Sequence, residues 1–206
     1  YPYLEASEEI REEYYILLAL AALGGCVLIA SNHFASMFIG IELLSVSLFA
    51  MVGYMVHGGP SSDVTLEGGV KYMIMSGVSS SFLLFGVALV YAYAGILTID
   101  LLALPAGPTL STGYLVAGTA MIMIGMAFKL SWVPFHMWTP DVYQGAPAPV
   151  TGFLAGGAKI ATFAFLIRFL IASGPDRIEI LLAGLSIMAV LSMLLGNLMA
   201  LLQDNL

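Results

Sequence analysis

Apolar residues run along this chain in blocks of roughly twenty, and polar and turn-forming residues gather between the blocks. A helix needs about 20 mostly apolar residues to cross a hydrocarbon layer about 30 Å thick. Six blocks approach or exceed that length: Tyr14–Ala30, Phe34–Val56, Gly68–Ala94, Ser111–Ser131, Val150–Leu170 and Ile178–Leu202. The first is slightly short and follows a charged approach, Glu5–Glu13, while the fourth passes a proline and resumes as a shorter piece towards Asp141. The stretches His57–Ser62, Leu104–Pro108, Gly145–Pro149 and Ser173–Pro175 are short and rich in Gly and Pro. They read as tight reversals within one bundle, with no soluble domain between them. The pattern therefore predicts an all-α, polytopic transmembrane bundle of about six helices, interrupted near Pro134.

Composition sharpens this. Hydrophobic residues make up 60% of the chain and charged residues only 9%, against about 25% charged in a soluble domain. The net charge is −7, but most acids lie in Glu5–Glu13, Asp63–Glu67 and Asp176–Glu179. Solvated connections account for that acidity, which argues against nucleic-acid binding. Cys26 is the only cysteine, so an internal disulfide and a CxxC metal site are both excluded. With no initiator Met and no signal-peptide pattern, the chain reads as an internal piece of a longer protein. Only Arg11 and Arg177 contribute to the count of cationic residues in loops, which leaves the membrane orientation open.

Small residues mark where helices could approach closely. Ser76, Gly77, Ser80, Ser81 and Gly86 fall in the third segment, and Gly113, Gly118 and Gly125 in the fourth. Gly125 lies one turn before Lys129, where a missing side chain could admit water or a polar neighbour; tight packing explains the same glycine equally well.

Four ionisable residues stand inside apolar segments: Glu42, Lys71, Lys129 and Lys159. Charges at membrane depth are expensive, and they are retained mainly where they face a protein interior or a wet cavity. Pro134 follows Lys129 by five residues and lacks the N–H that the carbonyl of Leu130 would need in an unbroken helix. A broken helix beside a buried cation is a recurring device of ion-translocating proteins. Lysine suits proton transfer at such a break. It titrates near about 10.4 in water, desolvation lowers that value and a nearby carboxylate raises it again. Arginine stays protonated and could not be switched in this way. His136, two residues past Pro134, either joins the relay or is a structural histidine held by a backbone carbonyl. Plainer roles compete elsewhere. Lys71 is four residues after Glu67 and could snorkel to the membrane surface; Glu42 could be the structural partner of one lysine; Arg168, His33 and His57 read as interfacial. No HExxH, GxSxG, P-loop or GxGxxG pattern is present, and no redox cofactor or metal site is expected in this chain.

The stretch VPFHMWTPDVYQGAPAPV, with AFKLS before it and AKIA after it, resembles the subunit N family of bacterial respiratory complex I, the proton-translocating NADH–quinone oxidoreductase. YPYLE, LIASNHFASMFIGIELLSVSLFAMVGY, GGVKYMIMSGVSSSFLLFG and GNLMALLQDNL extend the likeness over essentially the whole chain. It implies an antiporter-like fold of two inverted five-helix repeats, with residues 14–173 as the first repeat and 178–206 as the first helix of the second. It further implies that Glu42 and Lys71 form the charged pair at the access side of a half-channel. Lys129 would be the lysine of the broken helix, Lys159 the connecting lysine and His136 a further relay group. By this resemblance the protein is a multi-pass subunit of a bacterial inner-membrane translocase, with other membrane subunits and the lipid bilayer as its partners. NADH, quinone, flavin and iron–sulfur clusters would be used in other subunits, and quinone reduction elsewhere would drive separation of the Glu42–Lys71 pair. A cation/proton antiporter or membrane-bound hydrogenase subunit of the same fold is the alternative, and a passive membrane scaffold is the alternative of a different class.

Overall fold

The computed structural model describes residues 11–54, 62–99, 109–172 and 175–201. Its helices are α1 (Arg11–Ala30), α2 (Phe34–Val52), α3 (Ser62–Ala94), α4 (Thr109–Leu130), α5 (Thr139–Gly145), α6 (Ala148–Ala155), α7 (Gly157–Ala172) and α8 (Pro175–Leu201). Among the described residues six helical spans are long and apolar enough to cross a membrane, α6 and α7 counting together as one. The only extended pairing among the described residues is a single bridge between His33 and Thr98, which ties the turn before α2 to the chain after α3. His57, Val56 and Leu202 lie outside the described residues.

Most helix ends fall within a few residues of the hydropathy pattern, and two departures from it bear on the architecture. The third helix starts at Ser62 and not at Gly68, because Asp63 and Glu67 interrupt the apolar run without interrupting helix formation. The fifth span is not uniform: α6 ends at Ala155 and α7 begins at Gly157, with Gly156 as a turn between them.

At 33 residues, α3 is the longest described helix, about 50 Å at the usual rise per residue. It runs unbroken beside α4, then beside the interruption, then beside α5. Close approach to α4 depends on paired glycines: a Cβ on Gly86 would stand 2.7 Å from the carbonyl oxygen of Gly118, and a Cβ on Gly118 would stand 2.7 Å from that of Gly86. The α1–α2 pair is built in the same way, since a Cβ on Gly24 would meet the backbone of Leu44 at 2.5 Å and one on Gly40 would meet Leu28 at 2.6 Å. Gly125 admits no water, because the Leu83 side chain fills the space a Cβ would take. Gly77 and Gly113 face open space and serve no close approach among the described residues.

The buried apolar residues fall into two cores. One gathers Leu28, Phe34, Ile41, Leu83, Met126, Leu130, Ala161 and Phe165, among others. The other gathers Tyr14, Ala21, Leu44, Leu48, Tyr72, Trp138, Val142 and Ala158, among others. Four helices change core part-way along their length, between Ala21 and Leu28 on α1, Ile41 and Leu44 on α2, Tyr72 and Leu83 on α3, and Ala158 and Ala161 on α7, while α4 stays in the first core and the chain changes after it, between Leu130 and Trp138. The boundary between the cores is thus a layer across the middle of the bundle. The helix α8 lies at the margin: Leu181 and Leu185 pack on the first core, but no residue of its spanning window is fully buried.

Candidate functional site: a polar layer between two apolar cores

The helix α4 ends before the proline does anything to it. Ser131 adopts a left-handed backbone, φ 58°, and its N–H donates to the Phe128 carbonyl at 3.1 Å while that of Trp132 donates to Ala127 at 2.9 Å. That pair of bonds is a Schellman closure, which stops a helix by satisfying its last carbonyls. The break expected at Pro134 is therefore displaced to Ser131, and Pro134 lies in the irregular segment rather than inside a helix. Residues 131–138 then pass through tight turns, with the Phe135 N–H donating to Trp132 at 2.5 Å and that of Thr139 to His136 at 2.9 Å. Two outside contacts hold the segment in place. The Val133 N–H donates to Ser192 Oγ of α8 at 3.0 Å, and Trp138 Nε1 donates back to the Phe128 carbonyl at 3.1 Å.

Stopping α4 here leaves Lys129 in its last turn, at the layer between the cores. Its ammonium donates to Ser45 Oγ of α2 and to Ser76 Oγ of α3, each at 2.6 Å. Both serines are buried. One turn before Ser45 on α2, the Glu42 carboxylate accepts a hydrogen bond from Ser80 of α3, and it is near enough to act electrostatically on Lys129. Because α2 and α3 run antiparallel, Glu42–Ser80 and Lys129–Ser76–Ser45 form adjacent rungs. Ser79 adds another, donating to the Gly125 carbonyl at 2.8 Å.

Lys71 is not on this ladder. Its ammonium lies 2.6 Å from Glu67 Oε1 and 2.5 Å from Asp141 Oδ2, and its ion pairs among the described residues do not include Glu42. The expected Glu42–Lys71 pair is thereby corrected. Nine residues of α3 separate Lys71 from Ser80, the partner of Glu42, which is about 14 Å of helix.

Lys159 sits where α7 crosses the layer, between Ala158 of one core and Ala161 of the other. It lines a cavity of about 900 Å³ together with Ser131, His136, Thr139, Tyr143 and Met199. Its ammonium stands 5.6 Å from the centre of the Tyr143 ring, within the range of a cation–π contact. Four polar atoms of that lining, Ser131 Oγ, His136 Nδ1, Thr139 Oγ1 and Tyr143 OH, are buried with no hydrogen-bond partner among the described residues. Buried polar groups are nearly always satisfied by protein or by ordered water. A roomy cavity ringed by four such groups is suited to holding water. Among the described residues no backbone carbonyl holds His136, and its Nε2 lies 3.1 Å from Met199 Sδ of α8. Arg168 donates to the Ile29 carbonyl, tying α7 to the end of α1. No three His, Cys, Asp or Glu side chains among the described residues converge as a metal site would require.

Residues 31–206 match a family described as NADH:quinone oxidoreductase/Mrp antiporter, transmembrane. The chain belongs to this family. Among solved structures it is similar to a chain of respiratory complex I from Thermus thermophilus with bound aureothin, at 34% identity and a TM-score of 0.79, over 95% of this chain and 41% of that one. It is also similar to a chain of the membrane-bound sulfane sulfur reductase, an archaeal respiratory membrane complex, at 29% identity and a TM-score of 0.67, over 77% of this chain and 31% of that one. A chain of the Mrp complex from Dietzia sp. DQ12-45-1b shares the fold at 22% identity and a TM-score of 0.60, over 71% of this chain and 28% of that one. The chain spans less than half the length of each.

In this member of the antiporter family, then, Glu42, Lys129 and Lys159 lie in the layer between the cores, His136 lies in the cavity beside it, and Lys71 lies off it. From sequence, Ser76 and Ser80 read as packing residues, and Ser45, Asp141 and Tyr143 do not stand out as site residues. Ser45 carries a legible signal, being one helical turn from Glu42. Tyr143 and Asp141 do not, because their roles depend on how α5 is set down after the break.

Proposed function

We propose that this chain is part of a subunit-N-type, proton-translocating membrane subunit of a quinone-reducing respiratory complex, in a bacterial inner membrane. Protons would pass along the layer from the Glu42–Lys129 region through water held in the cavity to Lys159. The observation that carries this reading is the position of these three residues at the boundary between two apolar cores, Glu42 and Lys159 in the middle of their spans and Lys129 at the interrupted end of α4. Charges retained there need a function or a partner. Lys129 has two neutral hydroxyls for acceptors and no carboxylate within ion-pair distance among the described residues, so its charge is compensated only through space. Such a lysine can change protonation when a carboxylate shifts.

Membership of the family supports the class of machine, and the similarity to the Thermus chain supports the respiratory assignment over others. Glu42 is the carboxylate next to Lys129, so its movement relative to Lys129 replaces separation of a Glu42–Lys71 pair as the coupling step. The chain would hold residues 14–173 as one repeat and 178–206 as the start of a second, with redox chemistry confined to other subunits.

Proton uptake by liposomes containing the intact assembly, wild type against Lys129→Ala at matched assembly, tests this reading. Uptake and quinone reduction are both expected to fall by about tenfold or more, in the range of removing a proton-transfer group. Normal uptake would overturn the proposal. Uptake that required sodium would move the chain to the cation/proton antiporters.

A further inference from the structure

Lys71 is half-exposed on α3 and resembles the other intramembrane lysines in sequence, yet its surroundings are of another kind. Two carboxylates occupy its ammonium, Glu67 one turn earlier on the same helix and Asp141 on α5. Its neighbour Tyr72 belongs to one apolar core and packs against Trp138 with the rings tilted at 31°, their centres 5.0 Å apart. Ser76, which receives Lys129, is five residues further along α3, about 7.5 Å away.

The geometry of α5 shows what this ion pair restrains. One face of that helix is turned towards α3: Asp141 reaches Lys71, and Asp141, Val142 and Gly145 approach Gly68 so closely that its Cβ would stand 3.4 Å from the Asp141 carbonyl. A Cβ on Gly145 would likewise stand 2.6 Å from the Val64 carbonyl. The opposite face carries Thr139, Pro140, Tyr143 and Gln144, which line the cavity holding Lys159. The helix has only seven residues and follows an irregular segment, so it cannot hold itself in place by length.

Resting on the proton path proposed above, we propose that Lys71 acts as a positioning residue and not as a proton carrier: with Glu67 and Asp141 it latches α5 onto α3 and so sets the wall of the cavity through which Lys159 is reached. An exposed pair in water contributes little. Here three charges form a network, two of them on a spanning helix, where an unpaired charge is disfavoured. A latch needs only the positive charge, whereas a carrier must also be able to lose it.

Arginine separates the two roles, since it pairs with carboxylates but stays protonated. In the intact assembly, Lys71→Ala and Asp141→Ala should each lower proton uptake about tenfold. Lys71→Arg should stay within about twofold of wild type, and Lys71→Asp combined with Asp141→Lys should recover most of what either change loses alone. Amide hydrogen exchange over residues 139–145 gives a readout independent of transport. It should rise about tenfold in Lys71→Ala and remain unchanged in Lys71→Arg. Lys71→Arg transporting as poorly as Lys71→Ala would overturn the latch, as would unchanged exchange in Lys71→Ala. Lys129→Ala, run alongside, isolates the underlying assumption. If it transports normally, the proton path fails, and the exchange data alone decide the latch.

Discussion

Lys129 and Lys71 are the same residue type in two different situations. The first donates to two hydroxyls that can accept its hydrogen bonds but cannot cancel its charge. The second is held by two carboxylates. One substitution should therefore have opposite outcomes at the two positions. Lys129→Arg should abolish uptake nearly as fully as Lys129→Ala, because a guanidinium does not give up its proton in this pH range, while Lys71→Arg is tolerated. Uptake by reconstituted assemblies checks the contrast, and an active Lys129→Arg variant would rule out a lysine that must be neutral at one stage. Sequence showed where each lysine lies along its segment. It could not show that Asp141, seventy positions away from Lys71, is folded against it, since that pairing depends on where α5 lands after the irregular segment.

At the scale of elements, the unbroken α3 serves as the straight edge against which the broken α4–α5 is laid. Contact depends on backbones meeting where side chains are absent. Gly86→Val should force α3 and α4 apart and destabilise the subunit by about 1–3 kcal/mol, whereas Gly77→Val, with nothing within 4 Å of its Cβ position, should be neutral within about 0.5 kcal/mol. Thermal unfolding of the purified assembly distinguishes them, and equal effects would mean that the Gly86–Gly118 approach is not a constraint. The small-residue stripes were legible in the sequence, but which members met a neighbour was not: Gly77 and Gly86 look alike until the helices are paired. The break was likewise visible through Pro134, yet its onset at Ser131 follows from how the last turn of α4 closes its own carbonyls, a choice local pattern does not reveal.

Across the bundle, the two cores and the polar layer between them are the feature that places Glu42, Lys129 and Lys159 at one depth. Beyond Lys159 the cavity runs against Gly196, Met199 and Ala200 of α8, a helix with no ionisable residue from Leu181 to Leu201. A proton reaching Lys159 finds no further titratable partner on that side within the described chain. Reconstituted alone, this 206-residue chain should therefore leave an imposed pH gradient across liposomes intact. Rapid collapse of the gradient, above empty vesicles, would show that the chain completes a path by itself.

A multi-pass helical membrane protein, with four charges inside its spans and a helix interrupted after Lys129, could be read from the amino acids unaided. Those features follow from local quantities: the length of apolar runs, the cost of charge in lipid and the chemistry of proline. Resemblance along the chain pointed to the family. The partners of each charge came from the folded bundle alone, because hydrogen bonds and ion pairs depend on the register between helices. That register moved Lys71 off the layer, gave Lys129 to Ser45 and Ser76, set Lys159 over Tyr143, and gathered around one cavity four polar atoms with no partner among the described residues.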